Sequence, residues 1–294
     1  FSCITLGTAQ LGFNYGIANC SGCPSDEEAC KILSLAKEAG VTHLDTARAY
    51  GNAETRIGHL LPGRVAEDFH IISKLHPITN IPNNASVTEI ASAVDASIYC
   101  SCRELKRPYI DVMMFHRYAD MVHWNGAAMD RLSAHVKNGV IGEIGVSVYT
   151  PEEAMNSIAD ERVSHIQIPF NLLDDRWTAQ DFLQALEARD NLKIHARSIF
   201  LQGLLLNEAE VWPQWATESH ELVEKIEELT QLLNRKNKID LCMSYVRAFP
   251  WVTSLVVGVE SAKQLAEILA LTHEQPLTQE ECTIVQEVLR GVPE

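Results

Sequence analysis

Glu143-Ile144-Gly145-Val146-Ser147 leads through Val148 and Tyr149 into Thr150-Pro151-Glu152-Glu153, and the chain then reaches His165-Ile166-Gln167-Ile168. Between two short apolar runs stands a helix start: Thr150 is a good capping residue, Pro151 suits the first helical position, and Glu153 falls where a capping-box carboxylate belongs. The segment therefore reads as strand, helix, strand. Neither run alternates cleanly with polar residues, as expected of parallel strands covered on both faces.

The same unit repeats outward in both directions. Earlier runs are Ile4-Thr5-Leu6, Thr42-His43-Leu44, His70-Ile71-Ile72-Ser73 and Asp111-Val112-Met113-Met114-Phe115. Later ones are Leu192-Lys193-Ile194-His195 and Ser254-Leu255-Val256-Val257. Helix starts with capping-box spacing recur at Ser25…Glu28, Ser86…Glu89, Ser261…Gln264 and Thr278…Glu281. After Ser25, the residues Ala29, Ile32, Leu33 and Ala36 share one helical face, and Gly40 is a suitable stop. Leu222, Ile226, Leu229 and Leu233 make a further stripe, and Pro250 is expected to end a helix through Met243 and Phe249.

Eight such repeats without a linker predict a parallel (β/α)₈ TIM barrel as one domain over residues 1–294, lined inside by aliphatic residues. A long loop and helix segment, about 204–252, separates the seventh strand from the eighth. In this fold the chemistry sits in loops following the strands, so polar groups should gather at strand C-termini. Asp45, Lys74, His116, Ser147, Gln167, Asn171 and Ser198 do so.

Composition narrows the partners. The formal net charge of −15, with 24 Lys+Arg against 39 Asp+Glu and no local basic patch, opposes nucleic acid and anionic membranes. No apolar run approaches the ~18 residues of a membrane span. The first basic residue is Lys31, so the start lacks the basic region of a secretory signal. Eight cysteines in 294 residues are sparse. Cys20-Ser-Gly-Cys23 and Cys100-Ser-Cys102 have no second half at metal-ligand spacing, which predicts reduced thiols in a cytoplasmic protein. His43, His59, His70, His76 and His123 form no metal motif, so no metal is expected.

Each candidate has an ordinary structural explanation taken singly. Asp45 could cap a helix, Tyr50 beside Gly51-Asn52 could be a turn aromatic, Lys74 a solvated charge and His116 a core histidine. Their chemistry is nevertheless complementary. A tyrosine hydroxyl, with a pKa of about 10, is a poor acid near neutrality, and an adjacent ammonium favours its phenolate. Asp45 can hold Lys74 charged, and His116 can orient an oxygen. The set suits protonation of an oxygen whose carbon receives hydride.

At these residues the chain resembles the aldo-keto reductase family. The likeness runs through Leu6-Gly7-Thr8-Ala9-Gln10, Leu44-Asp45-Thr46-Ala47-Arg48-Ala49-Tyr50-Gly51 and Ile72-Ser73-Lys74. It continues in Tyr109-Ile110-Asp111-Val112 leading to His116, Ile144-Gly145-Val146-Ser147 and Gln167-Ile168-Pro169-Phe170-Asn171-Leu172-Leu173. The resemblance implies NADP-dependent carbonyl reduction, with NAD as the alternative cofactor. It makes Tyr50 the general acid, Lys74 and Asp45 its tuners, and His116 the carbonyl-orienting group.

The same resemblance implies a cofactor site. Gly7, Thr8 and Ala9 follow the first strand, Asp45 the second, and Ser147 with Gln167 would meet the nicotinamide carboxamide. The phosphate-holding loop maps onto Ser198 through Leu204, including Phe200, Leu201, Gln202 and Gly203. The adenosine end maps onto Gly258 through Glu267, with Glu260, Ser261 and Gln264 on the turn and Glu267 at the adenine.

Three departures stand out. Val148 replaces an Asn that often follows the Ser of the fifth strand; Arg197 occupies the place of an aromatic that stacks on nicotinamide; and Gly258 and Gln264 stand where Lys and Arg commonly grip a 2′-phosphate. Glu260 would repel that phosphate, and Lys263 is the only nearby cation. Arg197 could stack on a planar ring, or pair with a cofactor phosphate or an anionic substrate.

Trp124 and Tyr15 are the expected substrate contacts, while Trp212 and Trp215 serve either a lid or simple packing. The expected partner is a small carbonyl compound, sugar-derived or aryl, and the expected state a monomer. Two other readings are a redox-sensing regulatory subunit that holds NADP(H) and docks on a membrane channel, and a lyase or isomerase in which Lys74 forms a Schiff base.

Overall fold

The computed structural model describes residues 2–61, 68–78, 81–214, 216 and 219–290. Eight parallel strands close into a barrel in sequence order: β1 (Ile4–Gly7), β2 (His43–Asp45), β3 (His70–Lys74), β4 (Ile110–Phe115), β5 (Ile141–Ser147), β6 (Val163–Pro169), β7 (Lys193–Arg197) and β8 (Val252–Gly258). Gly7 pairs with Asp45 on one side and with Gly258 on the other, which closes the ring. This is the expected (β/α)₈ barrel.

Helices fill the connections: α1 (Asp26–Glu38), α2 (Ala53–Leu60), α3 (Val87–Glu104), α4 (Ala127–Lys137), α5 (Pro151–Ile158), α6 (Gln180–Glu187), α7 (Ser219–Leu232), α8 (Lys238–Arg247), α9 (Ala262–Leu271) and α10 (Gln279–Leu289). The face of α1 that carries Ala29, Ile32, Leu33 and Ala36 is buried as its spacing predicts. Gly40 follows α1 with φ +78, a conformation that suits the residue after a helix. Among the described residues no helix is long and apolar enough to cross a membrane.

The capping residues divide into two kinds. Ser86 with Glu89, and Thr278 with Glu281, form complete reciprocal boxes. Ser25 caps α1, but the Glu28 carboxylate accepts from the Ala262 N–H at 2.8 Å and so ties α1 to the start of α9. Glu153 reaches one residue past Thr150, to the Tyr149 N–H at 2.7 Å, and Gln264 accepts from the Glu260 N–H at 2.7 Å. These carboxylate and amide groups join loop to helix where sequence spacing alone suggests only a helix start.

The segment after β7 is more helical than a loop. A kinked series of turns over Leu201–Leu206, non-helical at Gln202 and Gly203, and a short 3₁₀ turn at Ala209–Val211 precede α7 and α8. Leu222, Ile226 and Leu229 are buried on α7 as the stripe predicts, whereas Leu233 lies just past its end and is half-buried. Helix α8 stops at Arg247, so Met243 is within it and Phe249 beyond it.

The barrel interior departs from an aliphatic lining. Ile72, Val112 and Met114 form a small apolar cluster apart from the main core. Elsewhere inside, Thr5 and Ser254 share a 2.8 Å hydrogen bond, and His165 stacks on His195 with ring centroids 5.2 Å apart. The cause is strand periodicity. Gln167 reaches across the barrel to Asp45, so its side chain points inward, and His165, two residues earlier, faces the same way. One inward set thus runs from a histidine-rich lower layer to an upper one that holds Gln167 and Asp45.

Candidate active site

The upper layer brings Asp45, Lys74, Tyr50 and His116 together. Lys74 ends β3 and is 1 % exposed; its Nζ donates to Asp45 Oδ1 at 2.5 Å, to the Thr46 carbonyl at 3.2 Å and to the Tyr50 hydroxyl at 3.3 Å. Gln167 Nε2 donates to the other Asp45 oxygen at 2.8 Å. The Tyr50 ring meets His116 edge to face, with centroids 5.8 Å apart.

Backbone fit fixes Tyr50. Its turn continues through Gly51 at φ +55, and Gly12 lies so close that a Cβ there would stand 1.8 Å from the Tyr50 carbonyl oxygen. No side chain fits at Gly12. Glu54, which is buried on α2, pairs with Arg48 and accepts from Ser73 Oγ at 2.6 Å, so it ties the Tyr50 loop to β3. Neither Gly12 nor Glu54 stands out in the sequence, because a close approach and a buried acid leave no spacing signature.

The electrostatics follow from burial and charge. Burial works to lower the Lys74 pKa, but the charges of Asp45 and Tyr50 and their hydrogen bonds raise it overall, so the amine stays protonated. Burial pushes the Tyr50 hydroxyl up, and this outweighs the opposing pull of Lys74. Burial, reinforced by the Lys74, Arg117 and Arg197 charges, drives His116 down to about 3. His116 is therefore neutral near pH 7, and its buried Nδ1 has no hydrogen-bond partner among the described residues.

A cleft of about 400 Å³ opens over this layer. Its lining includes Gly7, Thr8, Ala9, Asp45, Tyr50 and Gln167, together with Arg197, Ser198, Phe200, Gln202 and Gly203 after β7. Gly258, Glu260, Gln264 and Glu267 from the β8–α9 region also line it, as does Tyr15. Gln10, Gly16, Ala18 and Asn207 contribute as well, beyond the residues picked out from sequence.

Some candidates lie elsewhere. Ser147 is buried at the end of β5, and Ser261 caps α9 through the Gln264 N–H; neither they nor Leu201 line the cleft. Trp124 donates its indole N–H to the Pro82 carbonyl at 3.0 Å and packs on the core, off the cleft lining. Trp212 also packs against the core, and Trp215 lies outside the described residues.

Backbone shape marks the side wall. Ser198, Leu201, Gln202 and Gly203 all have positive φ, at 59°, 45°, 56° and 89°. Three of the four carry side chains, so the turn holds a costly conformation of the kind that clusters at ligand clamps. Within it the Leu201 N–H donates to the Ser198 carbonyl at 2.8 Å and the Gly203 N–H to the Phe200 carbonyl at 2.9 Å. The cleft is thus lined by residues at the ends of β1 and β2, by the positive-φ turn after β7 and by the β8–α9 turn.

These features coincide with a known class. The model of the Aldo/keto reductase family matches residues 3–290, and the chain belongs to that family. It is an NAD(P)-dependent oxidoreductase with carbonyl groups as its general target. The oxidoreductase YqkF of Bacillus subtilis is 26 % identical over 298 residues, which cover 96 % of this chain and 94 % of that protein. The 6-dehydroglucose reductase of Novosphingobium aromaticivorans is 28 % identical over 152 residues, 48 % of each chain. Among solved structures, the holo form of an aldo-keto reductase from Bacillus halodurans superimposes with a TM-score of 0.74 at 20 % identity, covering 97 % of this chain and 91 % of that one.

Proposed function

We propose that this enzyme reduces an aldehyde or ketone to an alcohol with NADPH, and that Tyr50 is its general acid. The observation that carries the reading is the Lys74 ammonium, which touches both Asp45 and the Tyr50 hydroxyl beneath the cleft. When bound, the nicotinamide supplies hydride to the carbonyl carbon.

The chain's own groups handle the proton. Tyr50 donates it to the carbonyl oxygen, and Lys74 stabilises the phenolate left behind. Asp45 keeps Lys74 charged in its buried position, and Gln167 holds Asp45. His116, kept neutral by burial, orients the same oxygen by hydrogen bonding. Its edge-to-face contact with Tyr50 sets the two groups side by side.

The cleft fits a dinucleotide. The positive-φ turn would hold the pyrophosphate, with Gly203 allowing close backbone approach. The start of α9 favours a further anion by the helix dipole. NADH is the second reading, because Glu260 and Glu267 line the cleft while the nearby Lys263 side chain is 87 % exposed.

A Schiff base at Lys74 fits less well. That chemistry needs a neutral amine, whereas Lys74 has a raised pKa and spends its donors on Asp45, Thr46 and Tyr50.

The test is a parallel fluorescence titration with NADPH and NADH, followed by turnover of aryl and sugar-derived aldehydes. Tight NADPH binding with turnover supports the reading. Equal or better NADH binding keeps the chemistry and moves the cofactor to NAD. Failure of both to bind at tens of micromolar removes the hydride donor and overturns the proposal.

A further inference from the structure

The lining of the cleft contains a single Lys or Arg among the described residues: Arg197, at the end of β7. Its Nη2 donates to the Val148 carbonyl at 3.2 Å and its Nη1 reaches Ser198 Oγ at 3.4 Å. One face of the guanidinium lies over the Tyr149 ring, 4.5 Å from the centroid. No carboxylate among the described residues is within ion-pair distance of it. Most other arginines of the chain do have one, as in Arg48 with Glu54, Arg131 with Asp95 and Arg235 with Asp240.

An arginine carries five N–H donors, and neutral oxygens take only part of that set here. The position of the remainder is informative. Arg197 lines the same cleft as Tyr50 and Tyr15, and its charge is felt by Tyr50, Tyr15 and His116. The guanidinium therefore stands close enough to Tyr50, Tyr15 and His116 for its charge to act on them. In a chain of net charge −15, an unpaired cation held in place by a carbonyl and an aromatic ring is a specific feature.

We propose that Arg197, braced on Tyr149 and Val148, binds a carboxylate on the substrate and so selects carbonyl compounds that carry one. Arg–carboxylate pairs are charge-assisted and frequently bidentate, which adds orientation to affinity. A carboxylate on Arg197 would leave the carbonyl end of the molecule toward Tyr50 and His116. The inference rests on the reductase reading for its chemistry, but the recognition step is testable without turnover.

The test uses matched probes. Calorimetry on the protein, with and without bound NADP⁺, compares 4-(hydroxymethyl)benzoate with its neutral isostere 4-(hydroxymethyl)benzamide. Wild type is expected to favour the benzoate at least fivefold, with the preference falling as salt is added. In Arg197→Met the preference should drop below half its wild-type value, and Arg197→Lys should recover part of it. Because each ratio is taken within one protein, an effect of the substitution on cofactor binding cancels.

A wild-type preference below fivefold, or one that survives in Arg197→Met, overturns the proposal; should Arg197→Met fail to fold, Arg197→Lys supplies the comparison. Turnover of 4-carboxybenzaldehyde against 4-formylbenzamide is then measured separately. Benzoate selectivity without reduction of either aldehyde would sustain Arg197 as the carboxylate site and sink the reductase reading.

Discussion

Gln167 Nε2 donates to Asp45 Oδ2 at 2.8 Å across the barrel, from β6 to β2, while Lys74 holds the opposite oxygen of the same carboxylate. Asp45 is 2 % exposed, so these contacts replace water that the carboxylate has lost. Removing Lys74 leaves a buried charge half-satisfied, which typically costs about 3–5 kcal/mol. Lys74→Met should therefore lose that much stability in urea titrations, and adding Asp45→Asn should restore part of it. A Lys74→Met loss below about 1 kcal/mol would show that Asp45 is not held as a buried anion.

The barrel was legible because its signal is local and repeated. Short apolar runs alternate with capped helices, and all eight strands overlap the runs read from sequence. The acid–base end was legible because Asp45, Lys74 and His116 sit at or just past strand ends on the inward-facing period. What the sequence hides is contact between distant segments. Gly12 against Tyr50, Glu54 between Arg48 and Ser73, and Tyr149 beneath Arg197 have no periodic signature. The polar lower layer was missed for another reason: in strands buried on both faces, His43, His165 and His195 do not announce which way they point.

Tyr50→Phe keeps the ring against His116 and removes only the hydroxyl. Loss of general acid help should lower kcat by about 10²–10⁴-fold while dinucleotide binding persists. Steady-state rates together with a fluorescence titration check both halves. Retention of most of the turnover would assign the proton to another donor.

The pH profile of that rate has a defined shape. Tyr50 is pushed above its usual range and must be protonated to act, so reduction should decline only at high alkalinity. His116 sits at about 3 and stays neutral above that, so it adds no inflection near neutrality. The rate of reduction should be flat from about pH 5 to 9, within the ordinary span of these groups. A step near pH 6.5 in wild type would mean that a histidine titrates in the reaction.

Gly12→Ala tests the backbone contact that sets Tyr50. The new Cβ would lie 1.8 Å from the Tyr50 carbonyl oxygen and 2.9 Å from the Ala53 nitrogen, both backbone atoms that cannot swing aside. Overpacking of this kind costs roughly 1–3 kcal/mol, and the displaced turn carries the hydroxyl out of place. Both kcat and melting temperature should fall, with kcat the more affected. Wild-type kinetics in Gly12→Ala would remove this contact from the account of Tyr50 positioning.

The histidines below the site link stability to acid. Burial, helped by the neighbouring His70, drives the His43 pKa down to about 3, whereas the unfolded chain titrates near the ordinary 6.5. Between those values the unfolded state binds a proton that the folded state refuses, so the stability present above pH 6.5 is lost as pH falls toward 3. Glu143, held by hydrogen bonds from His165 and Lys193, sits at about 2 and adds its own loss below its ordinary 4.5. In urea titrations at pH 6.0, 5.5 and 5.0, His43→Gln should reduce the slope of stability against pH by up to about 1.4 kcal/mol per unit, the value for one proton. Equal slopes in wild type and His43→Gln would show that His43 already carries its proton in the folded barrel.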